Sequence, residues 1–256
     1  MELAFSKDLS ISVFFPAYND AETIGGLIRD ALAALPSVAN VYEVLAVNDG
    51  SSDDTAHILD DLEKELSHFR VIHHPENLGY GSALRTGFAE SEMDLIFYTD
   101  GDGQYDVREL VNLRPLMSER VSVVNGFKKS RADKTHRKLI GNLYSTIAQF
   151  LFTLPIRDVD CDFRLIRRDA VRQIELTSTS GAICVELIKK LSAAGNSFVE
   201  APVTHFERKH GRSQFFTIGR VSKTILDFFI LWLKLVVFSF EKRRKQPVEP
   251  RTLSNE

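Results

Sequence analysis

The chain has 256 residues, 44% hydrophobic and 26% charged, with 14 Gly and 8 Pro, which excludes collagen-like and disordered chains and allows a core without staples. Two cysteines, Cys161 and Cys184, exclude a disulfide scaffold, no Cys/His group has zinc spacing, and a reduced, cytosolic compartment is expected. The net charge of −3 argues against nucleic acid, but it is uneven: residues 203–256 hold 11 Lys+Arg against 5 Asp+Glu, so an acidic body carries a basic end suited to an anionic partner.

Ile11–Phe15 is an apolar run closed by Pro16 and reads as a buried strand; no signal peptide is expected before it. Asp20–Leu35 reads as a helix with Ile24, Leu27, Ile28, Ala31 and Leu35 on one face. Tyr42–Val47 is a second strand. Asn48–Ser52 is turn chemistry, and Ser52 or Asp53 can cap the helix that carries Ala56, Leu59, Leu62 and Leu66. Phe69–His73 is a third strand, Gly79–Ser91 a helix, Asp94–Thr99 a fourth strand, Asp106–Ser118 a helix and Val121–Phe127 a fifth strand. Apolar strands alternating with helices imply an α/β fold, a mostly parallel sheet with helices on both faces. Ligands in such sheets sit beyond the strands' carboxyl ends, so the loops after Phe15, Val47 and Thr99 gather on one edge.

Beyond residue 130 the alternation loosens. Lys128–Lys138 is a basic loop, Leu139–Leu154 a helix, Phe163–Ile166 a strand, Gly181–Ala194 a helix, Phe198–Thr204 a strand and Glu207–Gln214 a polar loop. Thr217–Phe240 is a long apolar helical stretch. Asp227 and Lys234 interrupt it, and it falls short of the ~20 apolar residues of a membrane span. Its apolar residues cover nearly the whole circumference and Lys242-Arg243-Arg244-Lys245 follows, which suits a helix lying in a membrane interface; a subunit contact or a core helix is the other reading. The organisation expected is a catalytic domain over 1–214, an apolar C-terminal helical segment over 215–245, and a disordered tail over 246–256.

The strongest chemical signal is Asp100-Gly101-Asp102-Gly103-Gln104 directly after the fourth strand. Carboxylates at i and i+2 can converge on one divalent ion, and oxygen ligands suit Mg²⁺ or Mn²⁺. Gln104 offers a third oxygen, and the glycines permit close approach of a phosphate. An isolated D-x-D is more often a plain turn; its place at a strand's carboxyl end argues otherwise. Pro16-Ala17-Tyr18-Asn19-Asp20 and Asn48-Asp49-Gly50-Ser51 follow two other strands, and each alone is an ordinary turn. His73-His74 reads as structural or solvated, and Gly79-x-Gly81, which looks like a phosphate cradle, as a helix start packed near the nucleotide. Nothing in the sequence decides whether Glu186 faces the site.

Taken in order, F-P-A-Y-N-D, V-N-D-G-S-S-D-D-T, L-G-Y-G-S-A-L-R-T-G-F and D-G-D-G-Q resemble the family 2 glycosyltransferases of GT-A, Rossmann-like fold, and within them the dolichyl/polyprenyl-phosphate mannose or glucose synthase branch. The resemblance covers about residues 10–215. It implies nucleotide-sugar contacts from Pro16, Tyr18, Asp20, Val47, Asp49, Thr99, Asp100, Gly101, Asp102, Lys128, Arg208 and Gln214, and metal ligation by Asp100, Asp102 and Gln104. Asp100, Asp102 and Arg208 would be the catalytic residues. Arg137, Lys138 and Arg164 would hold an acceptor phosphate, although a solvated loop accounts equally well for residues 131–138. The chain departs from the family's pattern at Asp20 for Glu, Asn48 for Asp, Asp162 for Gly, Lys128 for the Arg of a G-[ST]-R run and Gln214 for Lys.

The function expected is a metal-dependent, inverting transfer of one sugar from GDP-mannose or a UDP-sugar to a polyprenyl phosphate. It would act at the cytoplasmic face of an anionic membrane, peripherally, with homo-oligomerisation left open. A glycan or protein acceptor, or a turnover-deficient nucleotide-sugar-binding protein, are the alternatives.

Overall fold

A computed structural model describes residues 8–129, 145–208 and 218–238. Seven strands form one sheet in the order β3-β2-β1-β4-β6-β5-β7. They are β1 (Ile11–Ala17), β2 (Tyr42–Asn48), β3 (Phe69–His73), β4 (Leu95–Thr99), β5 (Val123–Lys128), β6 (Phe163–Arg167) and β7 (Phe198–Val203). Every neighbouring pair is parallel except those made by β6, which runs antiparallel between β4 and β5. The α/β sheet expected from the apolar runs is therefore present, with one reversed strand.

The runs are apolar because both faces are covered. Side chains alternate across a strand, and along β1 Ile11, Val13, Phe15 and Ala17 enter one core while Phe14 enters the other. The first core is closed by α1 (Ile24–Ala34), α2 (Thr55–Glu65) and the 107–116 segment with α4 (Leu110–Leu113). The second is closed by α3 (Tyr80–Glu90), α6 (Arg168–Arg172) and α7 (Ile183–Ala193). There Phe14 stacks on Tyr98 and meets Phe88 edge-on, with ring centroids 5.4 and 5.2 Å apart.

A third core joins α5 (145–152), the far face of α7 and α8 (Ile218–Trp232). Phe152 and Phe228 meet edge-on at 5.0 Å, and the Trp232 indole N–H donates to the Leu151 carbonyl at 3.2 Å. No helix among the described residues is long and apolar enough to cross a membrane.

Three helices differ from their sequence reading. α1 starts at Ile24 rather than Asp20, because the Asp20 carbonyl accepts the N–H groups of both Thr23 and Ile24 in a turn. The single helix expected over Asp106–Ser118 is broken into 3₁₀ turns Val107–Glu109 and Arg114–Leu116 around α4, and Pro115 supplies no N–H to carry the helix on. Past Trp232 the C-terminal helix widens into a π-helical stretch, Leu233–Val237. Of the expected Leu139–Leu154 helix, 145–152 is described and helical.

Candidate active site

The strand order places β1 between β2 and β4, so the loops leaving their carboxyl ends are neighbours. The chain turns to opposite sides of β1 there, and such a switch opens a crevice. Backbone bonds lace the loops together: Asp49 N–H donates to Ala17 O at 2.9 Å and Gly101 N–H to Pro16 O at 3.2 Å. A Cβ on Gly101 would lie 2.9 Å from that carbonyl, so the D-G-D turn needs glycine at its centre. The Thr23 hydroxyl donates to Gly101 O at 2.7 Å and ties the start of α1 to the same turn.

The carboxylates of this turn are held differently. Asp100 Oδ1 accepts the Tyr80 hydroxyl at 2.8 Å. Burial, then the charges of Asp162 and Asp102, push the Asp100 carboxyl well above the usual range. Asp102 accepts the Gln104 N–H at 2.9 Å and forms an ion pair with the Arg208 guanidinium. Asp20 accepts the Tyr18 N–H at 3.0 Å. Burial pushes its carboxyl up to about 6 against that bond, and the charge of Asp102 adds to the rise. The expected residues Pro16, Tyr18, Asp20, Gly101, Asp100, Asp102 and Arg208 are thus brought to one place. Val47 lies beside Pro16 in the sheet register. Thr99 is fully buried at the end of β4, and its hydroxyl has no hydrogen-bond partner among the described residues.

Other expected residues are engaged elsewhere. Gln104 is engaged with the 205–208 segment: its side-chain nitrogen donates to Phe206 O at 3.1 Å, and its backbone carbonyl accepts the Phe206 N–H at 2.8 Å. It staples the 205–208 segment to the turn, which brings Arg208 onto Asp102. Asp49 is buried with both oxygens doubly used. Oδ1 meets His74 Nδ1 at 2.7 Å and the Leu78 N–H at 3.0 Å; Oδ2 accepts Asn77 Nδ2 at 3.0 Å and the Gly79 N–H at 2.9 Å. It anchors the 74–79 loop rather than presenting a free oxygen to a nucleotide sugar. His74 is structural, as read, with Nε2 2.9 Å from the Thr86 hydroxyl. Lys128 is paired to Asp160 at 3.2 Å, with its side chain almost wholly buried, rather than directed to a diphosphate.

Arg164 corrects the acceptor assignment most plainly. Its side chain is 0% exposed. It bonds to Asn125 Oδ1, Asp162 Oδ1 and Val159 O, each at 2.6 Å, and to the Tyr98 hydroxyl. β6 carries it into the protein layer, where a fully paired guanidinium is a structural charge. Arg137, Lys138 and Gln214 lie outside the described residues.

Two participants escaped the sequence reading. Tyr80 was hidden in a Gly79-x-Gly81 pattern whose glycines drew the attention. Asp162 sits at the amino end of β6 beside Asp100, which only the antiparallel pairing of β4 with β6 brings about. Glu186 is fully buried and bonded to the 177–178 segment. Burial raises its carboxyl, but bonds from Lys190, Ser178 and Thr177 together outweigh that and lower it.

Among the described residues no three His, Cys, Asp or Glu side chains form a metal cage. Two adjacent carboxylates completed by ligand phosphate oxygens and water are the donor set magnesium commonly takes, so Asp100 and Asp102 fit such an ion.

Solved structures that share this architecture include three of glycosyl-phosphoglycerate synthases. Glucosyl-3-phosphoglycerate synthase from Mycobacterium tuberculosis, in complex with Mn²⁺, UDP and phosphoglyceric acid, superposes with TM-score 0.65 at 17% identity, covering 88% of this chain and 78% of that one. The same enzyme with Mg²⁺ and UDP gives TM-score 0.63 at 17% identity, covering 88% and 79%. Mannosyl-3-phosphoglycerate synthase from Rubrobacter xylanophilus gives TM-score 0.64 at 18% identity, covering 95% and 78%. At this identity they establish the fold. The family is established by the chain itself: the model of Glycosyl transferase family 2 matches residues 12–175, well over half of it and all three crevice loops. The chain belongs to glycosyl transferase family 2 and is a glycosyltransferase.

Proposed function

We propose that this glycosyltransferase transfers one sugar from a nucleoside-diphosphate sugar to a polyprenyl phosphate at a membrane surface, with a divalent cation bound through Asp100 and Asp102. The observation that carries the donor half is the convergence of Asp20, Asp100, Asp102 and Arg208 at the crevice between β1 and β4. A bound Mg²⁺ or Mn²⁺ supplies charge stabilisation for the departing diphosphate. Tyr18 and Pro16 line the side of the crevice where the nucleoside fits. Arg208, held against Asp102, puts a guanidinium beside the carboxylates that would face a diphosphate, and charge-assisted bonds to phosphate are worth about 1.5–3 kcal/mol. An acceptor phosphate oxygen attacks the anomeric carbon as the bond to the diphosphate oxygen breaks, and the electron pair leaves with the nucleoside diphosphate. A phosphate monoester is already anionic near neutral pH, its second pKa being about 6, so the acceptor needs no strong base.

The acceptor half is supported by α8. Its inward side chains close the third core, while Ile225, Leu226 and Phe229 point outward, 65, 58 and 55% exposed. An outward apolar face followed in the sequence by Lys242–Lys245 suits an anionic lipid surface, where a polyprenyl phosphate resides. Both glycosyl-phosphoglycerate synthases named above carry phosphoglycerate in their names, so a small soluble phosphate is the competing acceptor.

The test has two stages. Thermal shift with a panel of UDP- and GDP-sugars in Mn²⁺ identifies the donor. Transfer is then measured to a short-chain polyprenyl phosphate in detergent and to 3-phosphoglycerate. Transfer to the lipid phosphate alone is expected; transfer to phosphoglycerate alone removes the lipid reading and leaves the donor reading intact.

A further inference from the structure

Gly79 and Gly81 resemble a phosphate cradle in the sequence, but the structure fills the space beside them with protein. A Cβ on Gly81 would lie 2.5 Å from Ser178 O and 2.7 Å from the Thr179 carbonyl carbon. One on Gly79, whose φ is +98°, would lie 2.5 Å from Thr179 O. The Gly81 N–H donates to Thr179 O at 3.0 Å. The 177–179 segment is itself fixed from α7: buried Glu186 accepts the N–H groups of Thr177 and Ser178 at 3.0 and 2.8 Å and the Thr177 hydroxyl at 2.9 Å. On the other side the Gly79 N–H is bound to Asp49 at 2.9 Å. The backbone of 79–81 is therefore clamped between a loop held by one buried carboxylate and a second buried carboxylate at the end of β2.

Tyr80 is the one side chain inside this clamp, and its hydroxyl donates to Asp100 Oδ1 at 2.8 Å. Asp100 needs such a donor. Its neighbours Asp102 and Asp162 are carboxylates, and the Arg208 guanidinium bonds to Asp102. We propose that Tyr80 is a positioning residue for the divalent cation: held by the glycine clamp, it binds one oxygen of Asp100 and so fixes the direction in which the carboxylate offers the other. The inference rests on the metal-dependent donor site proposed above. It extends that site to a residue that would not touch the ion, and it gives the two flanking glycines a reason that involves no phosphate. Groups that orient a metal ligand from behind change metal affinity by about 10- to 100-fold when removed.

The experiment uses the full-length protein as wild type, Tyr80→Phe and Asp100→Asn. Mn²⁺ is titrated by calorimetry and by electron paramagnetic resonance with the nucleoside diphosphate that binds the wild type. Turnover is then measured across Mn²⁺ concentrations. Asp100→Asn is expected to remove the protein-bound Mn²⁺ signal. Tyr80→Phe is expected to weaken Mn²⁺ by about 10- to 100-fold, to melt within about 2 °C of wild type, and to recover turnover to within about threefold at saturating Mn²⁺. A variant that keeps wild-type Mn²⁺ affinity overturns the positioning role. So does a loss of turnover that saturating Mn²⁺ fails to restore, since that is structural damage. If Asp100→Asn binds Mn²⁺ like the wild type, the metal site itself is misplaced, and the inference falls with it.

Discussion

The carboxyl edge of the sheet and the outer face of α8 are both surfaces, and they are built on opposite principles. At the sheet edge the polar groups bond across loops. Asn19 N–H reaches the Ser51 hydroxyl at 3.0 Å, Ser52 N–H returns to Asn19 Oδ1 at 2.8 Å, and the Asp20 N–H donates to the Thr55 hydroxyl at 3.0 Å. Dipoles fixed this way need no reorganisation when a small charged ligand arrives, which is the arrangement that stabilises developing charge. On α8 the most exposed large apolar side chains, Ile225, Leu226 and Phe229, carry no directional groups, while Lys223 reaches back to the Thr179 hydroxyl at 3.4 Å. α1 shows that the pattern alone does not decide this. It is also amphipathic, yet it turns Ile24, Leu27, Ile28 and Ala31 onto the sheet and buries them. The lesson is that α1, lying on the sheet, buries its apolar face, whereas α8, packed on α5 and α7, buries one apolar face and leaves a second exposed.

The comparison can be broken at either surface. The largest effect is expected from Asp102→Ala, which should lower kcat/KM on the order of a thousandfold or more while the melting temperature survives. A loss smaller than tenfold in a direct transfer assay would move the chemistry away from this edge. Next comes Arg164→Ala. Removing one partner of a buried charge pair costs about 3–5 kcal/mol, read by urea unfolding. A cost below about 1 kcal/mol would return Arg164 to the ligand-binding residues. The two helices are then set against each other: Ile28→Ala in α1 should cost about 2–5 kcal/mol, and Ile225→Ala in α8 no more than about 0.5 kcal/mol. Equal costs would mean that the α8 face is packed after all. The smallest change in stability, with a large change in location, is expected from the double substitution Ile225→Asp and Phe229→Asp. Sedimentation with anionic vesicles should fall about tenfold or more, at unchanged melting temperature. If wild type and variant both stay in the supernatant, α8 covers another copy of the chain or nothing.

The strands were legible because a two-sided layer demands unbroken apolar runs, and ISVFF, YEVLAV and DLIFYT supply them. The D-G-D turn was legible because its spacing and its place after a strand coincide. What stayed hidden depends on pairings far apart in sequence. Nothing in Phe163–Arg167 announces that it inserts antiparallel between β4 and β5, so Arg164 read as a free cation, and Asp162 as a mere departure from a motif. Asp49 looked available because its four donors come from residues 74–79, a helix and a strand further along. Lys128 looked available for the same reason, its partner Asp160 standing 32 positions along. Pro115 marks the break in the 106–118 helix, but the apolar spacing on either side of it runs on as in one helix.

The reversed strand β6 also limits how the molecule could be divided. All three crevice loops lie before residue 105, which invites the idea that the first half is a self-sufficient nucleotide-binding fragment. Yet β4 pairs through Leu95–Thr99 with Arg167–Phe163, and β5 and β7 meet β1–β4 only through β6. A fragment cut before Phe163 would leave β4 as a bare edge of apolar residues with unpaired N–H and C=O groups, the kind of strand that recruits others of its own type. Such a piece would carry every residue of the D-G-D turn and would still aggregate, because the second half of the chain serves as the hem that keeps the first half from joining to itself.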